Sequence, residues 1–359
     1  MKETLAIGLM SGSSLDGLDL ALVAFTSDEG HYTYCIKDAV TLPYPDLWRT
    51  RLANAFLSKP EDLKPLDLEY GAYLGQQVRQ FMEQRGITPD FVASHGHTIF
   101  HQPEKRYTLQ IGDGQALADQ CGVLTVNDFR SEDVEKGGQG APLVPIGDRL
   151  LFGEYDICLN IGGIANLSYE CHGERIAYDI CIANQALNWL AQREGLSYDK
   201  DGMMAKKGTL NQPLLDTLNS HAFYRQQPPK SLGREFFETY QRPLLETYHT
   251  ADALATFTEH IAMQIAQSTA HLPEGKLLIT GGGALNTYLV ERIQQHTKHQ
   301  VVIPERETVD YKEALIFALL GLLRLEGRTN VLSSVTGAPS DSCSGKIWIP
   351  MQKQHNKLV

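Results

Sequence analysis

Between two apolar runs, residues 10–19 read MSGSSLDGLD. Glycine lets main-chain N–H groups approach an anion closely, and serine hydroxyls add further donors. Gly12, Ser13, Ser14, Leu15, Asp16, Gly17, Leu18 and Asp19 therefore read as a turn and strand start built to hold phosphate. Asp16 and Asp19 supply carboxylates where a two-residue hairpin needs none. Carboxylates beside a phosphate cradle point to a bridging cation, most often Mg²⁺, and either aspartate is a candidate ligand. The stretch is not a P-loop, because no G-x-x-x-x-G-K-[ST] occurs, and no G-x-G-x-x-G follows a strand and opens a helix.

A second chemical cluster is VNDFRSEDVEKGGQGAPLVP, residues 126–145. Asp128, Arg130, Glu132 and Asp133 leave a strand and run into a glycine-rich loop, a suitable setting for acid–base work. ASHGHTIFHQP (93–103) carries His95, His97 and His101. An H-x-H pair can ligate metal, but Gly96 makes a turn as natural as a strand. A polar, substrate-facing loop with Thr98 is the favoured reading. LNIGGIANLS places Gly162 and Gly163 after a strand, and KLLITGGGALN places Gly281, Gly282 and Gly283 before a helix. The first pair serves either as a plain turn or as a phosphate grip. The triplet either packs helix on strand or leaves room for a base or ribose. Glu313 opens the apolar helix DYKEALIFALLGLL, where a carboxylate also suits the helix dipole.

The elements that position these residues follow an order that occurs twice. Strands are expected at 4–9, 18–25 and 31–41, helices at 45–57 and 65–85, a strand at 90–96, a helix near 114–121 and a strand at 122–126. Three strands then recur at 156–163, 164–170 and 174–179, followed by helices at 184–194 and 251–271, a strand at 276–280, a helix at 285–296, a strand at 300–304 and a helix at 311–325. The expectation is a duplicated α/β unit with a boundary near 150–155.

The 359 residues suffice for two domains, and the formal net charge of −11 argues against a nucleic-acid footprint. None of the six cysteines forms a C-x-x-C pair, which fits a reducing compartment. No apolar run is long enough to span a bilayer, and the N-terminus lacks a signal-peptide pattern. A cytoplasmic enzyme without membrane or nucleic-acid partners is expected.

The motifs GLMSGSSLDGLDLAL, SHGHTIFHQP, DFRSEDVEKGGQGAPLVP, LNIGGIANLS, YDKDGMMAKKG, LLITGGGALN, KEALIFALLG and SSVTGA, in this order, resemble the anhydro-N-acetylmuramic acid kinase family across nearly the whole chain. The resemblance implies an α/β fold of two duplicated ribonuclease-H-like, actin-like ATPase domains with a central nucleotide cleft. These would be residues 1–152 and 153–359, with the helix 311–325 packing across the boundary. It implies ATP and Mg²⁺ as cofactors, a small sugar substrate and a homodimer. It also implies the reaction: water opens the 1,6-anhydro ring while the γ-phosphate of ATP passes to the freed 6-oxygen, as in peptidoglycan recycling. By match to the motifs, Asp133 is the general base. The turn from Gly12 to Asp19, with Gly162, Gly163 and Asn166, holds the phosphates, and Gly281–Gly283 lie against the nucleoside. His95, Thr98, Asp128, Asp179 and Glu313 are sugar-side candidates. One departure stands out. Where many members read D-x-G-P-G-N, this chain has Asp179-Ile180-Cys181-Ile182-Ala183-Asn184, which would reshape the sugar pocket; the alternatives are a kinase of the same fold for another sugar and a non-catalytic ATP-gated binding protein. Ser13 stands where threonine is usual and keeps the hydroxyl.

Overall fold

The computed structural model describes residues 2–351 except Ser13, Ser14 and Asp16. It divides into two compact units: one runs to Leu151 and resumes from Tyr311 onward, and the other is Phe152–Asp310.

In the first unit, β1 (Lys2–Ser11), β2 (Leu18–Asp28) and β3 (His31–Leu42) form an antiparallel meander. Beside β1, β4 (Phe91–Ser94) runs parallel, and a hairpin of β5 (His97–Gln102) and β6 (Tyr107–Ile111) stands apart as a two-stranded sheet. The main sheet continues with β7 (Thr125–Asn127), parallel to β4, and closes with the antiparallel strand Lys346–Trp348. The run Leu18–Phe25 is buried at every position except Asp19, so this part of β2 is covered on both faces and within it only Asp19 keeps access to water. One core cluster joins Ile7, Leu9 and Leu20 of the sheet to Tyr70, Leu74 and Val78 of the helix Pro60–Arg85 and Leu117 of the helix Gly114–Cys121.

The residues from 311 onward belong with the first unit, whereas a division at 152/153 places them with the second. The cause is close packing. The helix Arg306–Leu325 crosses the point of division, and at Gly8 of β1 an added Cβ would sit 1.9 Å from the Ala314 carbonyl oxygen. Leu315, Ile316, Phe317, Leu319 and Leu320 are all buried, as befits a helix apolar on every side.

The second unit repeats the plan. β8 (Ile157–Ile161), β9 (Ile164–Cys171) and β10 (Glu174–Ile182) form an antiparallel meander, and β11 (Lys276–Thr280) and β12 (Gln300–Val302) extend it in parallel from β8. Both sheets thus run third–second–first–fourth–fifth across their first five strands. The helices Asn184–Gln192, Thr250–Thr269 and Thr287–His296 lie where the apolar periodicity predicts them. No helix or strand is expected between 194 and 251, and residues 200–245 lie in that stretch. These residues fold into short helical pieces that bury Phe223, Tyr224, Phe236 and Phe237.

Candidate active site

The first turn leaves β1 at Ser11 and returns at Leu18, its ladder partner. The Leu15 N–H donates to the Gly12 carbonyl (3.3 Å), and Leu15 takes a left-handed φ of 59°. Gly17 is required by packing, since a Cβ would lie 2.7 Å from the Leu42 carbonyl oxygen of β3. Asp19 is half-buried, and its Oδ1 accepts from Thr41 Oγ1 at 2.6 Å. A carboxylate here offers the hard oxygen donor that Mg²⁺ prefers. The expected residues Ser13, Ser14 and Asp16 lie outside the described residues.

Asp133 is 1 % exposed and sits in the short helix Ser131–Glu135. Gly140 N–H donates to its Oδ2 at 2.7 Å, and Thr336 Oγ1 donates to its Oδ1 at 2.8 Å. A Cβ on Gly138 would lie 2.2 Å from Oδ2, so this glycine is needed for the carboxylate to hold its place. Arg130 ties the same loop down: Nη1 donates to the Gly140 carbonyl (2.7 Å) and Nε to His95 Nε2 (3.0 Å). Burial lowers the Arg130 guanidinium to about 10, opposed by Glu313. Glu313 is reached by solvent, yet desolvation pushes its carboxyl up, against the pull of Arg130 and with a further push from Asp19. Glu313 thus feels both the Arg130 guanidinium and the Asp19 carboxylate.

The histidines of H-x-H are both buried, and each commits a ring nitrogen to a hydrogen bond inside the protein. His95 Nε2 accepts from Arg130, and its ring lies 4.7 Å from that of Phe317. His97 Nδ1 pairs with Ser11 Oγ at 2.8 Å. Desolvation holds His95 well below its ordinary value, helped by Arg130, and brings His97 to about 4, opposed by the Ser11 main chain. Two ring nitrogens already hydrogen-bonded within the fold are not open to a metal. Among the described residues, no group of three or more histidine, cysteine or acidic side chains is placed to hold a metal ion. Thr98 accepts from Gln110 Nε2 at 3.4 Å across the hairpin. Asp128 is drawn into structure: its Oδ1 accepts from Ser131 N–H (3.4 Å) and its Oδ2 pairs with Lys346 (2.7 Å).

In the second unit the turn after β8 is pinned from one side. The N–H groups of Ala183 and Gln185 donate to the Gly163 carbonyl, that of Asn184 donates to Gly162, and Asn184 Nδ2 reaches the Ile161 carbonyl at 3.1 Å. Neither glycine of this turn has positive φ. A Cβ on Gly162 would come no nearer than 3.6 Å to protein, and one on Gly163 no nearer than 3.8 Å. The fold therefore does not require glycine at either position. Gly282 is equally open (3.6 Å), whereas Gly281 (φ 78°) and Gly283 (2.2 Å from Ile161 Cγ2) are structural. So the GGG triplet contains both packing glycines and one that packing does not explain. Asn166 faces Asn160 and Asp179 across the ladder. Asp179 Oδ2 accepts from Leu232 N–H (2.8 Å), and burial raises its carboxyl. The departure at 180–183 resolves into core volume, because Ile180, Cys181, Ile182 and Ala183 are all buried in the unit's main apolar cluster. A bulge between Asp179 and Cys181 accommodates them.

Sequence reasoning left Ser11, Tyr44, Thr336 and Asn184 out of the candidate set. Thr336 and Asn184 stood within recognised motifs; Tyr44 carried no local signal.

Two mixed sheets of one strand order, each with a glycine-bearing turn after its first strand, define a duplicated α/β fold of the ribonuclease-H-like class. Within that class, the chain belongs to the anhydro-N-acetylmuramic acid kinase family, whose model matches residues 4–350. A relative from Vibrio cholerae serotype O1, an anhydro-N-acetylmuramic acid kinase, is 36% identical over 97% of this chain and 99% of its own. Another, from Saccharophagus degradans, is 35% identical over 98% of this chain and 100% of its own. Among solved structures, component A of (R)-2-hydroxyglutaryl-CoA dehydratase from Acidaminococcus fermentans matches with a TM-score of 0.46 at 12% identity, covering 89% of this chain and 97% of that one.

Proposed function

We propose that the chain converts 1,6-anhydro-N-acetylmuramic acid, water and ATP into N-acetylmuramic acid 6-phosphate and ADP, with Asp133 as the general base. Asp133 takes a proton from water as the water oxygen attacks the anomeric carbon. The bond from that carbon to O6 breaks, and O6 takes the γ-phosphoryl group as ADP departs. A carboxylate that activates water opposite the leaving oxygen is the usual requirement for glycosidic cleavage. The observation that carries this reading is the cage around Asp133, which is buried and held on each oxygen by a neutral donor rather than a cation. Each carboxylate oxygen keeps a second lone pair for the proton.

The turn from Gly12 to Asp19 and the turn at Gly162 and Gly163 supply main-chain donors to the triphosphate, and Gly282 leaves space beside the nucleoside. That neither Gly162 nor Gly163 is required by packing supports a ligand role. Asp19, or Asp16, holds Mg²⁺, which neutralises phosphate charge. Glu313 and Thr98 face the sugar, and His95, buried and held by Arg130, fixes the turn that carries Thr98. Asp128 and Asp179, whose carboxylates are occupied within the fold, act by holding the turns that carry the site. The enzyme works in the cytoplasm as a homodimer; no described helix is long and apolar enough to cross a membrane.

The test is a product assay with the anhydro sugar, ATP, Mg²⁺ and ¹⁸O-water. One labelled oxygen is expected at the anomeric carbon, with phosphate on O6. ADP release stimulated equally by unrelated sugars, or label appearing in phosphate, would overturn the reading.

A further inference from the structure

Ser11 is the last residue of β1, 3 % exposed, and it joins three side chains distant in sequence. Tyr44 Oη donates to Ser11 Oγ at 2.7 Å, Tyr44 and Tyr70 share a hydrogen bond of 2.7 Å, and Ser11 Oγ pairs with His97 Nδ1 at 2.8 Å. Tyr44 has one proton and gives it to Ser11, so Tyr70 donates to Tyr44. Ser11 keeps one proton and a second lone pair, so hydrogen count alone allows the Ser11–His97 bond to run either way. Tyr70 is fully buried, and desolvation raises both phenols, Tyr44 to about 12, so the chain keeps its protons at any working pH.

A ring whose Nδ1 accepts carries its hydrogen on Nε2. Among the described residues, no side chain hydrogen-bonds His97 Nε2, and it is not one of the polar atoms sealed from solvent without a partner. His95, two residues earlier, is fixed the opposite way: its Nε2 accepts from Arg130, so its hydrogen sits on Nδ1, and that atom is buried without a partner. Gly96, at φ 72°, provides the turn between them.

We propose that Ser11 Oγ donates to His97 Nδ1, so that the chain Tyr70–Tyr44–Ser11 locks His97 as a neutral Nε2–H donor to an oxygen of the bound sugar, which makes Ser11 and Tyr44 positioning residues for substrate recognition. The proposal rests on reading the turn at His95–Thr98 as sugar-facing, and it gives that turn a specific chemistry. A donor locked in place selects an acceptor oxygen and spares the cost of choosing a tautomer on binding. It also gives the first serine of the opening motif a task separate from phosphate binding.

Long-range ¹H–¹⁵N NMR of the full-length protein tests the chain directly. The wild type is expected to show a neutral His97 with its proton on Nε2 between pH 5.5 and 8. Ser11→Ala should convert the signal to a mixture of tautomers and raise the KM for the anhydro sugar about tenfold or more, with the KM for ATP moving far less. Ser11→Thr should restore both. Tyr44→Phe, which removes only a hydroxyl, should act in the same direction and covers the case of a poorly folded Ser11→Ala. A wild-type His97 protonated on Nδ1 overturns the chain. An unchanged sugar KM in both Ser11→Ala and Tyr44→Phe, with the wild type turning over, overturns the role in recognition. A wild type inactive on the anhydro sugar defeats the functional reading instead, and the tautomer measurement still decides the chain.

Discussion

Substituting Gly162 by alanine separates ligand binding from folding. An added Cβ meets no protein atom within 3.5 Å, its nearest neighbours being Asn160 Nδ2 at 3.6 Å and the Ile164 carbonyl oxygen at 3.7 Å. Residue 162 does not have positive φ, so alanine adopts the native backbone without strain. Replacing glycine where the backbone is compatible stabilises by about 0.4–1 kcal/mol, because the unfolded chain loses freedom. The melting temperature should therefore hold or rise by roughly 2–4 °C for a unit of this size. If the turn cradles phosphate, the methyl stands where an anion must approach the main chain. Losing one hydrogen bond to a charged group costs about 1.5–3 kcal/mol, or a rise of roughly 10- to 150-fold in the KM for ATP. Gly283→Ala is the contrast: its Cβ would sit 2.2 Å from Ile161 Cγ2, and such overpacking costs about 1–3 kcal/mol of stability. Differential scanning fluorimetry and a coupled ADP-release assay read both quantities. A Gly162→Ala protein that melts several degrees lower, or one that binds ATP with wild-type affinity, refutes the assignment of this turn to phosphate.

Gly138→Ala should displace the Asp133 carboxylate and cut kcat at least as much as removing a general base does, about 10²-fold or more; steady-state kinetics with normal kcat would remove Asp133 from the chemistry. Asp133→Asn should keep the fold, because its amide can still accept from Gly140 and face Thr336, while single-turnover phosphorylation falls by about 10²–10⁴-fold. Chelation of divalent cations should abolish ADP release and added Mg²⁺ restore it; turnover that survives chelation excludes a cation at Asp19. Stability should fall as pH drops from about 6.5 towards 4. His97 and His260 have folded values of about 4 and about 3, lowered by desolvation. In that window the unfolded chain binds more protons, so each group costs up to about 3 kcal/mol at the acid end. Urea titrations at pH 7 and pH 5 measure this, and His260→Gln should narrow the difference between them.

The succession of strands along the chain was legible because apolar runs and glycine turns are local signals: β1, β2, β8 and β11 fall where their sequences place them, whereas their order across each sheet came only from the structure. The hairpin β5–β6 was half legible, since Gly96 announced a turn but not the strand that begins at His97. The segment 200–245 was illegible, because its buried aromatics follow no helical or strand period. The substituted turn at 180–183 raised the expectation of altered site bulk, and burial assigns that bulk to the core.

By itself, the sequence determined the chemistry available: carboxylates beside glycine turns, an acidic run before a glycine-rich loop, and an element order that occurs twice. Tertiary structure decided which of these residues are committed to the fold. It separated Gly162 and Gly282, which packing leaves open, from Gly281 and Gly283, which it requires. It placed the Thr336 hydroxyl on Asp133 across 203 residues of chain, and it moved the residues from 311 onward into the first unit. The physical reason is common to all three. Whether a glycine is free, a carboxylate is held or a helix belongs to one sheet depends on atoms from distant segments that meet only when the core closes.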